Sequence, residues 1–540
     1  MLAIRRYSIC AGACVSLIAL AFPCSAAAAS CESLSGLKLP DGKVTTAAQV
    51  AAGAFTPPHG KPSKLDLGRF QRTPAFCRVV AEVEPAPGSH IAIEIWMPLA
   101  GWNHKYRGQG NGGFAGSVAY GLMAVAVTRG YAASGSDTGH QGDATEASWA
   151  LGHPQQIIDF GYRAVHETAE RAKAIIQAFY GEGAQRSYFE SCSDGGREAL
   201  MEAQRFPQDY DGIIAGAPAN YWTHLLTGGL DVEQTMLAKP ANYIPASKIP
   251  AIASAVNSAC DALDGVKDGI LNDPRQCHFD PATIQCKGTD SDACLTTEQV
   301  TTLRKIYAGG KLPNGTQIFP GLMPGGEDGD GGWKNWVMGP APGEAEISKY
   351  VNHYFQDMVF DDPQWNFHDA NVAKALRAAD KKTAKALNST NPDLSGFQKR
   401  GGKLILYHGW NDPAIAPLNT VHYYNTVIGK MGAGPVSQFV RLYMVPGMQH
   451  CARGPGPSFF GQVGTPAKHD PEHDVYSALE QWVEQDHAPG ALIAAKYTDD
   501  DSEKPVQMTR PLCVYPEVAK YKGSGDTNDA ANFNCVTEKE

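Results

Sequence analysis

Short apolar runs recur between residues 89 and 221, and a helical pattern separates them. Four runs predict strands or strand edges: residues 91–99, 123–134, 187–191 and 211–219. Residues 157–181 carry apolar side chains at helical spacing and end in a glycine, which predicts a long amphipathic helix. Strands that alternate with such helices are typical of a parallel sheet with helices on its faces.

The alternation stops near residue 222 and resumes near residue 399. The intervening stretch contains cysteines, tryptophans and the run PGGEDGDGG at 324–332. Beyond it, KLILYHGW (403–410) and VRLYMVPG (440–447) predict two further buried strands. We therefore predict one α/β domain built from residues 30–221 and 399–540, with residues 222–398 as an inserted domain.

The first residues of the chain are typical of an export signal. Arg5 and Arg6 precede an apolar run at 15–22, and small residues near position 29 suit cleavage, which predicts a signal peptide over residues 1–29. A lipoprotein with acylation at Cys24 or Cys31 is the alternative; Pro23 and the distance of Cys31 from the apolar run weaken it. No later stretch is apolar for long enough to span a membrane, so we predict a periplasmic or secreted protein without a membrane partner.

Composition and charge narrow the choice of substrate. With 540 residues, 43% of them hydrophobic and 19% charged, the chain can bury a large core. The net charge of -10 is spread without a basic block, which excludes a nucleic-acid partner. This charge distribution is more compatible with a small or neutral substrate than with a polyanion.

The cysteines support export. Of the 13 cysteines, three lie in the predicted signal and ten remain, an even number that predicts five disulfides. Spacing suggests three local pairs, Cys260 with Cys277, Cys286 with Cys294 and Cys513 with Cys535, although connectivity does not follow from sequence alone. The other four are Cys31, Cys77, Cys192 and Cys451. Metal binding by cysteines is disfavoured because the chain has no CxxC pair.

The stretch FESCSDGGREAL (189–200) is the first candidate for chemistry. It predicts a strand, a tight turn at Ser193 and a helix, which is the setting of a nucleophile elbow. The pattern Gly-x-Ser-x-Gly has Ser191 in place of its first glycine, so a plain glycine-rich loop is the alternative interpretation.

A serine nucleophile requires a base and an orienting carboxylate. In α/β hydrolases these follow in the order Ser, Asp, His, each after a core strand. Asp412 follows the strand predicted at 403–410, and His450 follows the one at 440–447. His408 and His422 are the rival bases, but one lies within a strand and the other within a helical pattern.

Two cysteines flank this candidate triad. Cys192 directly precedes Ser193, and Cys451 directly follows His450. A bond between them would tether nucleophile and base through adjacent backbone and close a loop of about 260 residues.

These features, together with GNGGFAG (110–116), SDTGH (136–140) and FPQDYDGIIAGAPA (206–219), resemble the tannase and feruloyl esterase family over nearly the whole mature chain. The resemblance implies an α/β-hydrolase fold with a large lid domain, here residues 222–398. It also implies a serine esterase acting on esters of aromatic acids. The family includes a hydrolase of mono(2-hydroxyethyl) terephthalate.

The implied mechanism assigns further roles. His450 would take the proton of Ser193, and Asp412 would orient the imidazole. The amide of Asp194 and that of Gly112 or Gly113 would bind the oxyanion.

The stretch CDALDGVKDGILNDP (260–274) interleaves aspartates with glycines, as oxygen ligands for a hard cation require. By family resemblance, a structural Ca²⁺ in the lid would have five ligands: the side chains of Asp261, Asp264 and Asp268 and the carbonyls of Val266 and Ile270. An acidic turn is the alternative.

The leading hypothesis is a secreted esterase for feruloyl or galloyl esters, small aromatic substrates that plant polysaccharides or polyphenols can carry. Aromatic residues at 351–369 offer rings for stacking, although most aromatics in such a run are ordinary core. No arginine lies between Trp336 and Ala375, which disfavours the alternative of a terephthalate monoester hydrolase. An inactive calcium-dependent binding protein on a hydrolase fold is the alternative from another class.

Overall fold

The computed structural model of the chain describes residues 29–59 and 61–537. The predicted export segment, except for its last residue, lies outside the described residues. None of the helices in these ranges is long and apolar enough to cross a membrane.

The described chain contains both strands and helices. The strands are β1 (Lys38–Leu39), β2 (Gly42–Val50), β3 (Phe76–Val83), β4 (Ile91–Pro98), β5 (Lys105–Gln109), β6 (Ala132–Ser136), β7 (Arg186–Cys192), β8 (Gly212–Gly216), β9 (Gly310–Lys311), β10 (Gln317–Phe319), β11 (Lys403–Gly409), β12 (Val440–Val445), β13 (Leu492–Tyr497), β14 (Val506–Leu512), β15 (Val518–Tyr521) and β16 (Phe533–Val536). The α-helices are α1 (Lys64–Gln71), α2 (Tyr120–Thr128), α3 (Pro154–Ile158), α4 (Ala164–Tyr180), α5 (Asp194–Arg205), α6 (Trp222–Leu237), α7 (Ile249–Cys260), α8 (Thr297–Ala308), α9 (Glu346–His353), α10 (Val372–Lys382), α11 (Ala384–Leu387), α12 (Ser395–Lys399), α13 (Leu418–Met431), α14 (Ala433–Ser437) and α15 (Val475–Gln485).

A ten-stranded mixed sheet forms the centre, in the order β1-β2-β3-β4-β6-β5-β7-β8-β11-β12. The strands from β6 to β12 in this order run parallel. The first four strands are antiparallel to their neighbours. The predicted parallel sheet therefore holds for six strands only. Strands β1, β2 and β3 of the antiparallel part precede residue 89. The sequence did not predict β2, because it has many exposed positions and no continuous buried run.

One predicted strand is wrong in part. Residues 120–128 form α2, and only the end of the predicted run at 123–134 enters β6. Met123, Ala124, Ala126 and Val127 in α2 are fully buried. A short continuous apolar run does not distinguish a buried helix from a strand, and alanine and methionine favour the helix.

The predicted helix at 157–181 is confirmed with one interruption. A π-helical turn, Asp159–Arg163, lies between α3 and α4. Helix α4 ends at Tyr180 and is capped by Gly181, which has a left-handed φ of 78°. The π-turn presents the carbonyls of Phe160 and Gly161 to the guanidinium of Arg197, at 3.0 and 2.5 Å. The interruption thus attaches this helix to the one that follows Ser193.

In the part of the chain that the structure describes, residues 222–398 add no strand to the central sheet. Their helices pack around apolar clusters that contain Leu230, Val351, Tyr354 and Leu303. The loop 324–332 holds this region against the sheet, because Gln449 Nε2 donates to the carbonyl of Asp328 at 2.7 Å. The Asn411 side chain likewise donates to the carbonyl of Gly325.

Five disulfides are present, as the cysteine count predicted. The three local pairs form as expected: Cys260–Cys277, Cys286–Cys294 and Cys513–Cys535. The other two bonds join Cys31 to Cys77 and Cys192 to Cys451.

Candidate active site

Ser193 lies on a sharp turn between β7 and α5. Its φ of 68° and ψ of −125° are strained for a residue with a side chain. Its amide donates to the carbonyl of Gly216 at 3.0 Å, which fixes the turn on β8. A Cβ on Gly196 would lie 2.2 Å from that same carbonyl oxygen, so only glycine fits there. The close backbone approach therefore produces the predicted strand–turn–helix geometry around Ser193.

Ser191, which replaces the first glycine of the elbow pattern, fits because its neighbours Gly195 and Gly110 have no side chains. A Cβ on Gly195 would lie 1.9 Å from Ser191 Oγ, and one on Gly110 would lie 2.7 Å from Ser191 Cβ. The serine is buried, with 3% of its surface exposed. A larger side chain at position 191 has no room.

Three side chains that are distant in sequence meet at the carboxyl ends of β7, β11 and β12. Ser193 Oγ is 2.9 Å from His450 Nε2, and His450 Nδ1 is 2.8 Å from Asp412 Oδ2. The Asp412 side chain is fully buried and that of His450 is 12% exposed. This geometry is that of a serine nucleophile, a general base and an orienting acid.

The carboxylate of Asp412 receives four hydrogen bonds. Oδ1 accepts from the amides of Ala414 and Ile415 at 2.8 and 3.0 Å. Oδ2 accepts from His450 and, at 3.1 Å, from Nε2 of His408. Burial by itself would raise the pKa of Asp412, but the charge of His450 and the hydrogen bonds from both histidines hold it below its usual value.

Neither of the two rival bases is hydrogen-bonded to Ser193 among the described residues. His408 faces Asp412 and is completely buried. His422 lies exposed on α13. The sequence analysis placed His408 within a strand and did not identify its hydrogen bond to Asp412. The two residues are only four positions apart, on either side of the end of β11.

Three backbone amides, one at the elbow and two on the glycine loop bonded to it, have no acceptor among the described residues. In residues 29–59 and 61–537, no group accepts a hydrogen bond from the N–H of Asp194, Gly112 or Gly113. Gly113 has a φ of 60°, and a Cβ there would lie 2.4 Å from the carbonyl oxygen of Ala144. A Cβ on Gly112 would meet open space. These amides are available as donors to an oxyanion.

Asn111 joins the glycine loop to the elbow. Its amide donates to Glu198 Oε2 at 2.9 Å, and its carbonyl accepts from the amide of Gly195 at 3.0 Å. Its side chain donates to the carbonyls of Ser117 and Ser136 at 2.7 and 2.9 Å. Sequence reasoning missed this residue, although it stands between Gly110 and the pair Gly112 and Gly113.

Buried charge lies beneath the elbow. Asp194 pairs with Nε of Arg197 at 2.5 Å, and both side chains are buried. Glu198 follows one turn later on α5. Burial, reinforced by the charge of Asp194, raises the pKa of Glu198 to about 8.

Aromatic rings of residues 222–398 border the candidate triad. The ring of Trp336 meets that of His450 edge-on, with 5.2 Å between centroids. Tyr350 stacks against Trp336 at 6.2 Å and lies 5.2 Å from Phe114 of the glycine loop. The aromatics of 351–369 behave differently, since Tyr354 and Phe355 are fully buried in core.

The aspartate loop at 261–270 curls around its own amides. Asp261 Oδ1 accepts from the amide of Gly269 at 2.8 Å, and Asp264 Oδ1 accepts from that of Val266 at 3.0 Å. Asp268 Oδ1 accepts from the amide of Ile270 at 3.1 Å, and Oδ2 pairs with Arg510. Burial, and then the charges of Asp268 and Asp261, raise the pKa of Asp264 to about 6.

The three carboxylates are close, but they do not converge. Among the described residues, one set of three potential ligand atoms lies within 4.8 Å of one another: Cys286, Asp290 and Cys294. The two cysteines of that set are joined in a disulfide, so it offers no thiolates to a metal. The donor set of the aspartate loop consists of hard oxygen atoms, which suit Ca²⁺.

Known proteins match the chain along most of its length. Residues 77–536 match the family model described as tannase and feruloyl esterase. The chain is 43% identical over 540 residues to an uncharacterised esterase of Xanthomonas campestris, a match that covers 95% of this chain and 92% of that protein. It is 31% identical over 515 residues to a probable feruloyl esterase B-2 of Aspergillus terreus, covering 94% and 95%.

A solved structure is similar over the same length. The crystal structure of feruloyl esterase B from Aspergillus oryzae superposes with a TM-score of 0.84 at 30% identity. The match covers 94% of this chain and 99% of the other. The large mixed sheet with flanking helices is the α/β-hydrolase fold that the sequence predicted.

The buried carboxyl of Glu198 makes stability depend on pH. Its native pKa of about 8 exceeds the value of about 4.3 in an unfolded chain. Between these values the native state binds more protons, so its contribution to the free energy of unfolding falls as pH rises. We expect the melting temperature to fall less between pH 5 and 8 in Glu198→Gln than in the wild type. Glu517→Gln, at an exposed carboxyl, is the control; identical slopes in all three proteins contradict the prediction.

The bond between Cys192 and Cys451 closes a loop of 259 residues, and that between Cys286 and Cys294 a loop of eight. The chain-entropy model gives roughly 5.6 and 2.5 kcal/mol for the two. We expect the double alanine variant of the first pair to unfold at a lower denaturant concentration than that of the second. Equal midpoints would count against a stabilising role of this tether.

Proposed function

Because the chain belongs to the tannase and feruloyl esterase family and is a carboxylic ester hydrolase, we propose that it cleaves esters of phenolic acids, such as feruloyl or galloyl esters. We assign the chemistry to Ser193, His450 and Asp412. The observation that carries this proposal is the chain of hydrogen bonds of 2.9 and 2.8 Å that joins them.

In this proposal His450 Nε2 takes the proton of Ser193 as Oγ attacks the ester carbonyl. Asp412 stabilises the imidazolium that forms. The amide of Asp194 and that of Gly112 or Gly113 donate to the oxyanion. His450 then returns its proton to the departing alcohol, and a water activated by the same histidine cleaves the acyl-enzyme.

The aromatic character of the substrate is supported by the rings beside the base. Trp336, Tyr350 and Phe114 are linked by ring contacts of 5.2 to 6.2 Å, and the first also contacts His450. Trp336 and Tyr350 are only partly buried. An acyl group with a planar ring gains stacking there that an aliphatic acyl group does not.

Export is part of the proposal. Five disulfides are typical of proteins that fold in an oxidising compartment. We propose that residues 1–29 are a signal peptide and that the mature enzyme acts in the periplasm or outside the cell. Its substrates would be small aromatic esters, including those attached to plant polysaccharides or polyphenols.

We also propose that the loop Asp261–Ile270 binds a structural Ca²⁺. Its three carboxylates and the carbonyls of Val266 and Ile270 supply hard oxygen ligands. The raised pKa of Asp264 reflects burial and the mutual repulsion of these carboxylates. A divalent cation would relieve that repulsion once the side chains turn from the loop amides towards it.

The substrate class is tested with methyl ferulate, methyl caffeate, methyl gallate and mono(2-hydroxyethyl) terephthalate. We expect kcat/KM to be highest on one of the three phenolic esters, and we expect Ser193→Ala to lose at least about 10³-fold. A preference for the terephthalate ester favours the alternative hydrolase. Turnover that survives Ser193→Ala refutes the proposed chemistry, and no turnover on any of the four esters favours a binding protein.

Trp336 variants separate the aromatic site from the triad. Trp336→Ala should lose about 2- to 10-fold in kcat/KM on methyl ferulate, the equivalent of one aromatic contact. Trp336→Phe should retain most of it. Hydrolysis of p-nitrophenyl acetate, whose acyl group has no ring, is the control reaction and should be much less affected.

Calcium removal tests the loop. A ligand present at 100 times its Kd stabilises the native state by about 2.7 kcal/mol, so excess chelator should lower the melting temperature by several degrees. Asp264→Asn should lower it similarly and no longer respond to chelator. Asp362→Asn, at an exposed aspartate, should behave like the wild type. An unchanged melting temperature of the wild type in chelator contradicts the proposal.

A further inference from the structure

His408 is a second histidine on the carboxylate of Asp412. Its side chain is fully buried at the end of β11. Nε2 lies 3.1 Å from Asp412 Oδ2 and 3.0 Å from the carbonyl oxygen of Ile415. Nδ1 lies 2.7 Å from Oγ1 of Thr420, which is buried in the first turn of α13.

The partners of His408 determine which nitrogen carries the proton. A carboxylate and a carbonyl are both acceptors, so Nε2 must carry the hydrogen that is shared between them. In the neutral imidazole Nδ1 is then an acceptor, and the hydroxyl of Thr420 donates to it. Thr420 therefore favours the tautomer that Asp412 requires.

His408 fixes both ends of the short loop after β11. One bond reaches Asp412, and the other reaches the carbonyl of Ile415, whose amide in turn donates to Asp412 Oδ1 at 3.0 Å. Oδ1 is held by backbone, whereas Oδ2, the oxygen that faces His450, is held by side chains alone. Without His408, the bond from His450 is the one hydrogen bond to Oδ2 that remains among the described residues.

We propose that His408 is a positioning residue that holds Asp412 Oδ2 where it accepts the Nδ1–H of His450. The inference rests on the proposed roles of Ser193, His450 and Asp412. Among the described residues, His408 is hydrogen-bonded to Thr420, Asp412 and Ile415 and not to Ser193, so we expect it to affect the rate of the serine attack more than the binding of the ester.

The test compares a variant without the donor with one that keeps it. His408→Leu removes the N–H, whereas the amide of His408→Gln can donate from nearly the same place. Loss of one hydrogen bond to a charged group corresponds to about 10- to 100-fold in rate. We expect this loss in kcat for His408→Leu, with KM changed less than about twofold, and recovery of most of kcat in His408→Gln.

Two further measurements separate positioning from general destabilisation. The rate at which diethyl p-nitrophenyl phosphate inactivates the enzyme reports Ser193 reactivity directly, and it should fall in parallel with kcat. Ile405→Val is the matched control, because Ile405 is fully buried in the same strand but packs in the core on the opposite face of the sheet. It should lose stability and keep kcat.

The outcomes are distinct. A normal kcat in His408→Leu, or a His408→Gln variant as slow as His408→Leu, overturns the inference. If His408→Leu does not fold, Thr420→Val is measured instead, and its kcat should fall severalfold because the hydroxyl that sets the His408 tautomer is lost. Thr420→Ser, which keeps that hydroxyl, should retain most of the wild-type kcat. An unchanged kcat in Thr420→Val overturns the inference. Turnover that survives Ser193→Ala refutes the proposed function instead.

Discussion

The parallel register of β7, β8, β11 and β12 is the constraint on which the site depends. Their carboxyl ends lie at one edge of the sheet, so the residues that follow three of them meet although up to 257 positions separate them. The close approach of α5 to β8, permitted by Gly196, sets the height of Ser193 above that edge. The bond from Cys192 to Cys451 joins the same two loops covalently.

Several charged side chains are buried at this edge of the sheet, and each needs a hydrogen-bond or ion-pair partner. Asp412 is surrounded by four donors, and Asp194 is paired with Arg197, which also holds the π-turn of the preceding helix. Burial raises the pKa of Glu198, and its Oε2 supports the backbone of the glycine loop by accepting from the amide of Asn111. Loss of a partner would leave an unpaired buried ion and lower the stability of the native state by several kcal/mol. Movements that break these contacts are therefore unfavourable, which makes the site rigid.

Residues 222–398 contact the residues next to the candidate triad. Its loop at 324–332 is bonded to Asn411 and Gln449, the residues directly before Asp412 and His450. Trp336 follows that loop and reaches the ring of His450. The position of the aromatic rings is therefore tied to the same two loops that carry Asp412 and His450.

The sequence by itself determined what local patterns encode. The strand–turn–helix at Ser193 and the strands that frame the site follow from neighbours along the chain. The order of Ser193, Asp412 and His450 can be read directly from the sequence, and the number of disulfides follows from the count of cysteines. Only the tertiary structure decided that residues 120–128 are helical, that Asn111 joins two loops, and that His408 and Trp336 face the candidate triad. These depend on packing between segments far apart in sequence, where an apolar run or a buried histidine has the same local pattern whichever partner it meets.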